Sequence, residues 1–156
     1  MEAPSKTAER EIVLTRTVKA PRALVWKDCT EPQHIDRWWG PNGFTNRTIS
    51  MDFRVGGQWK YTMTSAEGQV FPNLITYTEI APIDHLAYDH GDWEDPSMFM
   101  GSLTFSDVES GTLITLHTVF PTKEVRDEVV EKYGAIEGGK QTLARLDEYL
   151  AVLLTI

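Results

Sequence analysis

Leucines recur every three or four positions along the C-terminal part of the chain, and polar side chains fill most positions between them. The apolar stripe consists of Leu143, Leu146, Leu150, Leu153 and Leu154. A period near 3.6 residues is typical of an amphipathic helix, whose apolar face must pack on a partner surface. The pattern predicts a long helix from Ile136 onward. A shorter helix is predicted before it, capped by Thr122 and ended by Gly134. Its apolar positions are Val125, Val129, Val130 and Tyr133.

The preceding sequence mostly alternates between apolar and polar residues, which is the pattern of strands with one buried face. Strands are predicted at residues 11–18, 48–54, 58–64, 70–80, 84–90, 98–105 and 112–120. In the second of these strands, Ile49, Met51 and Phe53 are expected to share the buried face. The pair Gly56-Gly57 then favours a tight hairpin turn.

Two short helices are predicted between the first and second strands. Pro21 suits the first position of a helix, where its missing N–H matters least. The second helix has Pro32 in its first turn, and Ile35, Trp38 and Trp39 form its buried side. Because strands and helices are segregated along the chain, the order predicts an α+β fold with an antiparallel sheet of about six or seven strands.

Length and charge narrow the range of partners. The 156 residues are expected to form one domain, with residues 1–10 flexible. A net charge of −8 argues against nucleic acid and against an anionic membrane surface as partners. Neither a signal peptide nor a membrane span is apparent, and Cys29 as the single cysteine excludes an internal disulfide. A cytoplasmic protein is therefore expected, as a monomer or a homodimer.

Several short segments, in this order and spacing, resemble a known family. They are residues 20–26 (APRALVW), 30–34 (TEPQH), 37–41 (RWWGP), 52–57 (DFRVGG) and 133–139 (YGAIEGG). The chain resembles the branch of the START/SRPBCC superfamily that is like the activator of ninety-kilodalton heat-shock-protein ATPase. The resemblance implies the helix-grip fold of START and Bet-v-like proteins, in which a curved sheet wraps a long C-terminal helix and encloses a cavity. It also implies a connection with chaperones and the stress response.

Aromatic and methionine side chains concentrate where the concave face of such a sheet is expected. The candidate ligand-binding residues are Trp39, Phe44, Met51, Phe53, Trp59, Tyr61, Met63, Tyr77, Tyr88, Met100, His117, Gly138, Gly139 and Leu143. These side chains either fill the core or line an apolar pocket. The paired glycines either help the chain bend between helices or leave space beside the cavity. Phe44, after Gly43, is a candidate lid residue.

No motif in the sequence points to metal binding or catalysis. The four histidines are not spaced as zinc ligands, and the acidic segment at residues 92–96 lacks the pattern of a calcium loop. His117 is either a cavity residue or a structural histidine. Nucleophile, phosphate-binding and dinucleotide motifs are absent, so neither a cofactor nor a metal is expected, and an enzyme is the less favoured reading.

Three functions follow from these observations. The first is binding of a small hydrophobic molecule in the cavity, for sequestration, transport or sensing. The second is a protein-interaction module that stimulates a chaperone ATPase, as the resemblance implies. The third is an enzyme like the superfamily's cyclases and hydrolases, which would need a polar pair with perturbed pKa values inside the pocket.

Overall fold

The computed structural model of the chain describes residues 7–155, so the flexibility predicted for residues 1–6 lies outside the described residues. Residues 7–10 form a turn in which the Arg10 N–H donates to the Thr7 carbonyl (2.9 Å). The strands are β1 (Glu11–Val18), β2 (Thr45–Met51), β3 (Gln58–Thr64), β4 (Val70–Ala81), β5 (His85–Gly91), β6 (Phe99–Val108) and β7 (Gly111–Val119). The helices are α1 (Arg22–Thr30), α2 (Pro32–Ile35), α3 (Lys123–Tyr133) and α4 (Ala135–Leu154).

All seven strands form one antiparallel sheet, in the order β1-β7-β6-β5-β4-β3-β2. Helix α4 packs on its inner face, where Leu143, Leu146 and Leu150 are 0–2% exposed and join a core that includes Tyr61 and Ile114. The predicted α+β helix-grip fold is therefore confirmed, with the two short helices after the first strand. Leu154, predicted on the buried side of the helix, is instead 51% exposed near its end.

Strand β2 departs most from the prediction, because it starts and ends earlier. The pairing with β3 shifts between Thr48 and Ser50, which is the signature of a β-bulge. The bulge leaves Ile49 52% exposed, so the prediction that Ile49 shares a buried face with Met51 and Phe53 is wrong. Beyond the bulge, Met51 returns to the inner face opposite Trp59.

The ends of the helices follow the predicted local chemistry with one correction. Pro21 has an extended backbone (φ −66°, ψ 149°) and precedes α1 as its N-cap, instead of occupying its first turn. The Thr122 hydroxyl accepts from the Val125 N–H (3.1 Å), and Gly134 is left-handed (φ 62°), as predicted. Helix α3 buries none of its residues, although its apolar positions recur at helical spacing.

Candidate functional site

A cavity of about 280 Å³, open to solvent, lies between the inner face of the sheet and the first turns of α4, and we call it the α4 cavity. The sheet lines it with Met63, Tyr88, His90, Phe99, Leu116 and Thr118. The helices and the loop after α2 line it with Trp39, Gly40, Pro41, Tyr133, Gly134, Ala135, Gly138, Gly139 and Thr142. The lining is mostly apolar and aromatic, and it contains no Lys, Arg, Asp or Glu.

The loop that forms one wall is held by α4 itself. The Arg145 guanidinium donates from Nη1 to the carbonyl oxygens of Gly40 (2.8 Å) and Pro41 (3.0 Å). One turn earlier, the Gln141 side chain accepts from the Asn42 N–H (3.1 Å). Charge-assisted bonds to two successive carbonyls fix the backbone of the wall relative to the helix.

A chain of polar side chains lies behind the aromatic wall. The Trp39 indole N–H donates to the Tyr61 hydroxyl (3.0 Å), and that hydroxyl lies 3.2 Å from His90 Nε2. His90 Nε2 is also 2.9 Å from Asn73 Oδ1. Three strands and the loop after α2 thus meet in one hydrogen-bonded group, which orients the His90 ring at the cavity.

Burial keeps this group uncharged. It lowers the pKa of His90 to about 4, because an imidazolium ion loses its hydration there. It also raises the pKa values of Tyr61 and Tyr88 well above the ordinary value of 10. At neutral pH, the cavity therefore presents a neutral imidazole and neutral phenols.

The two glycines early in α4 have different roles. A Cβ on Gly139 would lie 2.4 Å from Leu14 Cδ1, so this position lets the helix approach β1 closely. A Cβ on Gly138 would meet only Pro41 Cβ, at 3.8 Å, so this position leaves room beside the cavity. Neither bends the chain between helices, because that corner lies at Gly134.

Five of the predicted site residues border the α4 cavity. They are Trp39, Met63, Tyr88, Gly138 and Gly139. Tyr61 lies one layer behind them and contacts the cavity through Trp39 and His90.

Other predicted site residues belong to the packed interior. Trp59, Tyr77 and Leu143 are 1–3% exposed. The space beside Trp59 and Tyr77 amounts to only about 10 Å³, so these rings fill the core.

The half-buried members of the predicted set lie farther from the cavity. Phe53 packs edge-on against Tyr77 at 4.8 Å between ring centroids, and Met51 packs against the core from β2. Phe44 lies against Phe71, with ring centroids 6.0 Å apart. Phe44 is not among the residues lining the cavity.

Met100 and His117 lie on the outer face of the sheet, which corrects their assignment to the cavity. Met100 is 48% exposed and alternates with Phe99 and Gly101, which face inward. His117 Nε2 lies 2.7 Å from Glu11 Oε2, in a hydrogen bond between β7 and β1. His117 is therefore a structural histidine.

Sequence reasoning missed the histidine that does border the cavity. His90 shares the inner face of β5 with Tyr88, two residues before it, and Leu86, four residues before it. Because alternate residues of a strand share a face, this spacing could have identified His90 as an inward-facing residue. Phe99, Leu116 and Thr118 line the cavity because strand pairing brings them to the same face: Phe99 of β6 lies opposite His90 of β5, and Leu116 and Thr118 of β7 lie opposite inward-facing residues of β6.

Among residues 7–155, no group of three or more His, Cys, Asp or Glu side chains could hold a metal ion. Within the same residues, no helix is long and apolar enough to cross a membrane.

Comparison with known proteins then assigns the family. The family described as "Activator of Hsp90 ATPase homolog 1-like protein" matches residues 19–151. The chain belongs to this family. The match includes α1 to β7, α3 and nearly all of α4, so the resemblance read from the sequence is confirmed. No curated protein matches the chain in sequence.

Solved structures share the fold of this activator-like chain over nearly its whole length. A crystal structure of a protein from Nitrosomonas europaea is 26% identical, with a TM-score of 0.85 over 96% of this chain and 99% of that one. One from Mycobacterium smegmatis is 21% identical, with a TM-score of 0.85 over 98% of each chain. The solution structure of an AHSA1-like protein from Aeromonas hydrophila is 18% identical, with a TM-score of 0.70 over 92% of this chain and 93% of that one.

Proposed function

We propose that this protein binds a small hydrophobic molecule in the α4 cavity, for sequestration, transport or sensing. The observation that carries the proposal is an apolar and aromatic cavity of about 280 Å³ at the junction of sheet and helix. Small-molecule sites usually combine an apolar lining with a few convergent polar groups, and Tyr88, His90 and Thr118 supply these here. The volume lies just below the usual range of roughly 300–1,000 Å³, which favours a compact ligand.

The electrostatics of the site support binding over acid–base catalysis. A general base works best when its pKa is near the operating pH. The pKa of His90, at about 4, makes it a weak base at neutral pH, and the raised pKa of Tyr61 makes it a weak acid. This polar pair suits hydrogen bonding to a ligand better than proton transfer.

Native mass spectrometry of freshly purified protein tests the proposal, followed by denaturation to release and identify any bound molecule. A Gly138→Leu variant places a side chain beside Pro41 at the cavity, whereas Glu137→Leu adds the same side chain at the neighbouring exposed position. We expect a non-covalent adduct on the parent and on Glu137→Leu, and its loss from Gly138→Leu. An adduct retained by Gly138→Leu would place the ligand elsewhere and contradict the proposal.

A second candidate function is stimulation of a chaperone ATPase through helix α3. The exposed side chains of α3 support it, since Tyr133 is 75% and Val125 is 37% exposed. Exposed aromatic residues are frequent anchors in protein interfaces. Turnover of an Hsp90 ATPase with and without saturating protein tests this function. Unchanged turnover, or stimulation that Tyr133→Ser leaves intact, would count against it.

A further inference from the structure

The chemistry of the ligand can be narrowed from the protonation state of one ring. His90 lies on the inner face of β5, and its ring centroid is 4.6 Å from that of Phe99. Both rings border the α4 cavity. A ligand in the cavity would therefore contact the imidazole, and its polar group must match whichever nitrogen is available.

The neighbouring amide fixes the tautomer of His90. The Asn73 side chain donates from Nδ2 to the Phe71 carbonyl (3.2 Å), so its Oδ1 is the atom that faces His90 Nε2. An amide oxygen only accepts, so Nε2 must carry the proton and donate to it. The Tyr61 hydroxyl, which accepts from Trp39, is a second acceptor near the same N–H.

The other ring nitrogen, Nδ1, is consequently a bare acceptor. Among residues 7–155, no group donates a hydrogen bond to it. The low pKa of His90, about 4, keeps Nδ1 unprotonated at neutral pH. Hydroxyl groups such as those of Tyr88 and Thr118 can both donate and accept, so they do not select between ligands. Nδ1 has one fixed polarity, and it requires a donor.

We propose that the ligand is a neutral apolar alcohol or phenol whose O–H donates to His90 Nδ1, an inference that rests on the binding function proposed above. A carboxylate would find no cation in the cavity lining, and an ammonium group would find no carboxylate. An ether or a ketone would set its own acceptor against Nδ1 and leave that nitrogen unpaired, which costs affinity.

Three probes with one ring system separate these cases by isothermal titration calorimetry at pH 7. They are 2-naphthol, 2-methoxynaphthalene and 2-naphthoate. We expect 2-naphthol to bind roughly twofold to tenfold more tightly than 2-methoxynaphthalene, which is the range for one net hydrogen bond. The anion 2-naphthoate is expected to bind most weakly of the three, because it must lose its hydration without a counter-ion.

A variant that inverts the polarity of Nδ1 gives the sharper test. Asn73→Asp places a carboxylate beside His90 Nε2 and favours the doubly protonated ring, so Nδ1 becomes a donor. At pH 5.5 we expect this variant to lose its preference for 2-naphthol and to bind 2-naphthoate more tightly than the parent does. Gln69→Glu adds the same charge at an exposed turn and should behave like the parent. His90→Phe removes the acceptor and should bind the two neutral probes equally.

The outcomes distinguish the two proposals. If no probe binds the parent, both the binding function and this inference fail. If the neutral probes bind the parent equally, the cavity binds apolar molecules but the inference of a hydroxyl ligand is overturned. If Asn73→Asp, folded by circular dichroism, keeps the parent's preference at pH 5.5, Nδ1 does not select the ligand and the inference is also overturned.

Discussion

The carboxylate of Asp28 is buried without compensation, and this leads to a quantitative prediction. Asp28 lies in α1 and is 0% exposed, and neither of its oxygens has a hydrogen-bond partner among the described residues. The imidazole of His34 lies beside it, with Nδ1 3.7 Å from Asp28 Oδ1 and 2.7 Å from the Tyr149 hydroxyl. Burial raises the pKa of Asp28 from 3.8 to about 6, although His34 and then Lys27 oppose the shift.

The sign and size of the effect on stability follow from this pKa. Because the folded state holds the proton more tightly than the unfolded chain, the contribution of Asp28 is fully present below pH 3.8 and is lost as the pH rises through about 6. At about 1.4 kcal/mol per pKa unit, the difference between 3.8 and about 6 corresponds to at most about 3 kcal/mol of unfolding free energy. Asn cannot ionise. The stability of Asp28→Asn relative to the parent should therefore rise by up to about 3 kcal/mol between pH 4 and pH 7.5.

Urea denaturation followed by tryptophan fluorescence measures this difference at a series of pH values, since urea does not screen charges as guanidinium does. Asp36→Asn is a matched control. The Asp36 carboxylate accepts from the Asn46 amide (2.7 Å) and from the Thr48 N–H (3.0 Å) and hydroxyl (2.6 Å). Neutralising Asp36 should destabilise the protein at neutral pH, opposite in sign to Asp28→Asn.

The result that refutes the reasoning is a flat difference. If Asp28→Asn and the parent keep a constant difference in unfolding free energy from pH 4 to pH 7.5, the pKa of Asp28 is the same in the folded and unfolded states, and burial does not raise it. A difference that falls with rising pH would mean that ionised Asp28 is stabilised, with His34 as the obvious partner.

Two smaller predictions concern helices. Gly138→Ala should raise the free energy of unfolding by roughly 0.5–1 kcal/mol, because Gly is a poor helix former and the added methyl group has room. Gly139→Ala should gain less stability or lose some, because its methyl group would lie 2.4 Å from Leu14 Cδ1. Equal gains for the two variants in urea denaturation would contradict this account. Thr122→Ala removes the N-cap of α3, which is worth about 1 kcal/mol. Since α3 buries no residue, we expect this variant to exchange the amide hydrogens of α3 faster, with little change in the urea midpoint of global unfolding. A lower midpoint without faster exchange in α3 would mean that α3 unfolds only together with the rest of the protein.

Most of the fold could be predicted because local patterns and tertiary packing agree. The stripe containing Leu143, Leu146 and Leu150 predicted the buried face of α4, and Gly134 marked the corner before it. The bulge at Ile49 could not be predicted, since it depends on how β2 pairs with β3 and not on β2 alone. The exposure of α3 could not be predicted for a similar reason, because periodicity identifies an apolar face but not whether a partner surface covers it.

The candidate site was harder to predict, because a cavity depends on volumes that no single residue reports. Trp59 and Trp39 look alike in sequence, yet one fills the core and the other borders the cavity. Strand β7 carries apolar residues on both faces, so alternation could not tell whether His117 pointed inward. His90 follows a clearer alternation in β5, but its role depends on Asn73 and Tyr61, which come from other strands.

The order of strands has a consequence for how the protein is made. Strands β2 to β7 pair successively, so each can join its neighbour soon after it leaves the ribosome. In the described part of the chain, β1 pairs with β7, whose residues follow roughly 100 positions later. At about 5–20 residues per second, the first strand waits roughly 5–20 s for its partner to be synthesised. Throughout that interval Ile12 and Val18 of β1 have no sheet to join, so two side chains that are buried in the folded protein stay without their strand partner until β7 has been synthesised.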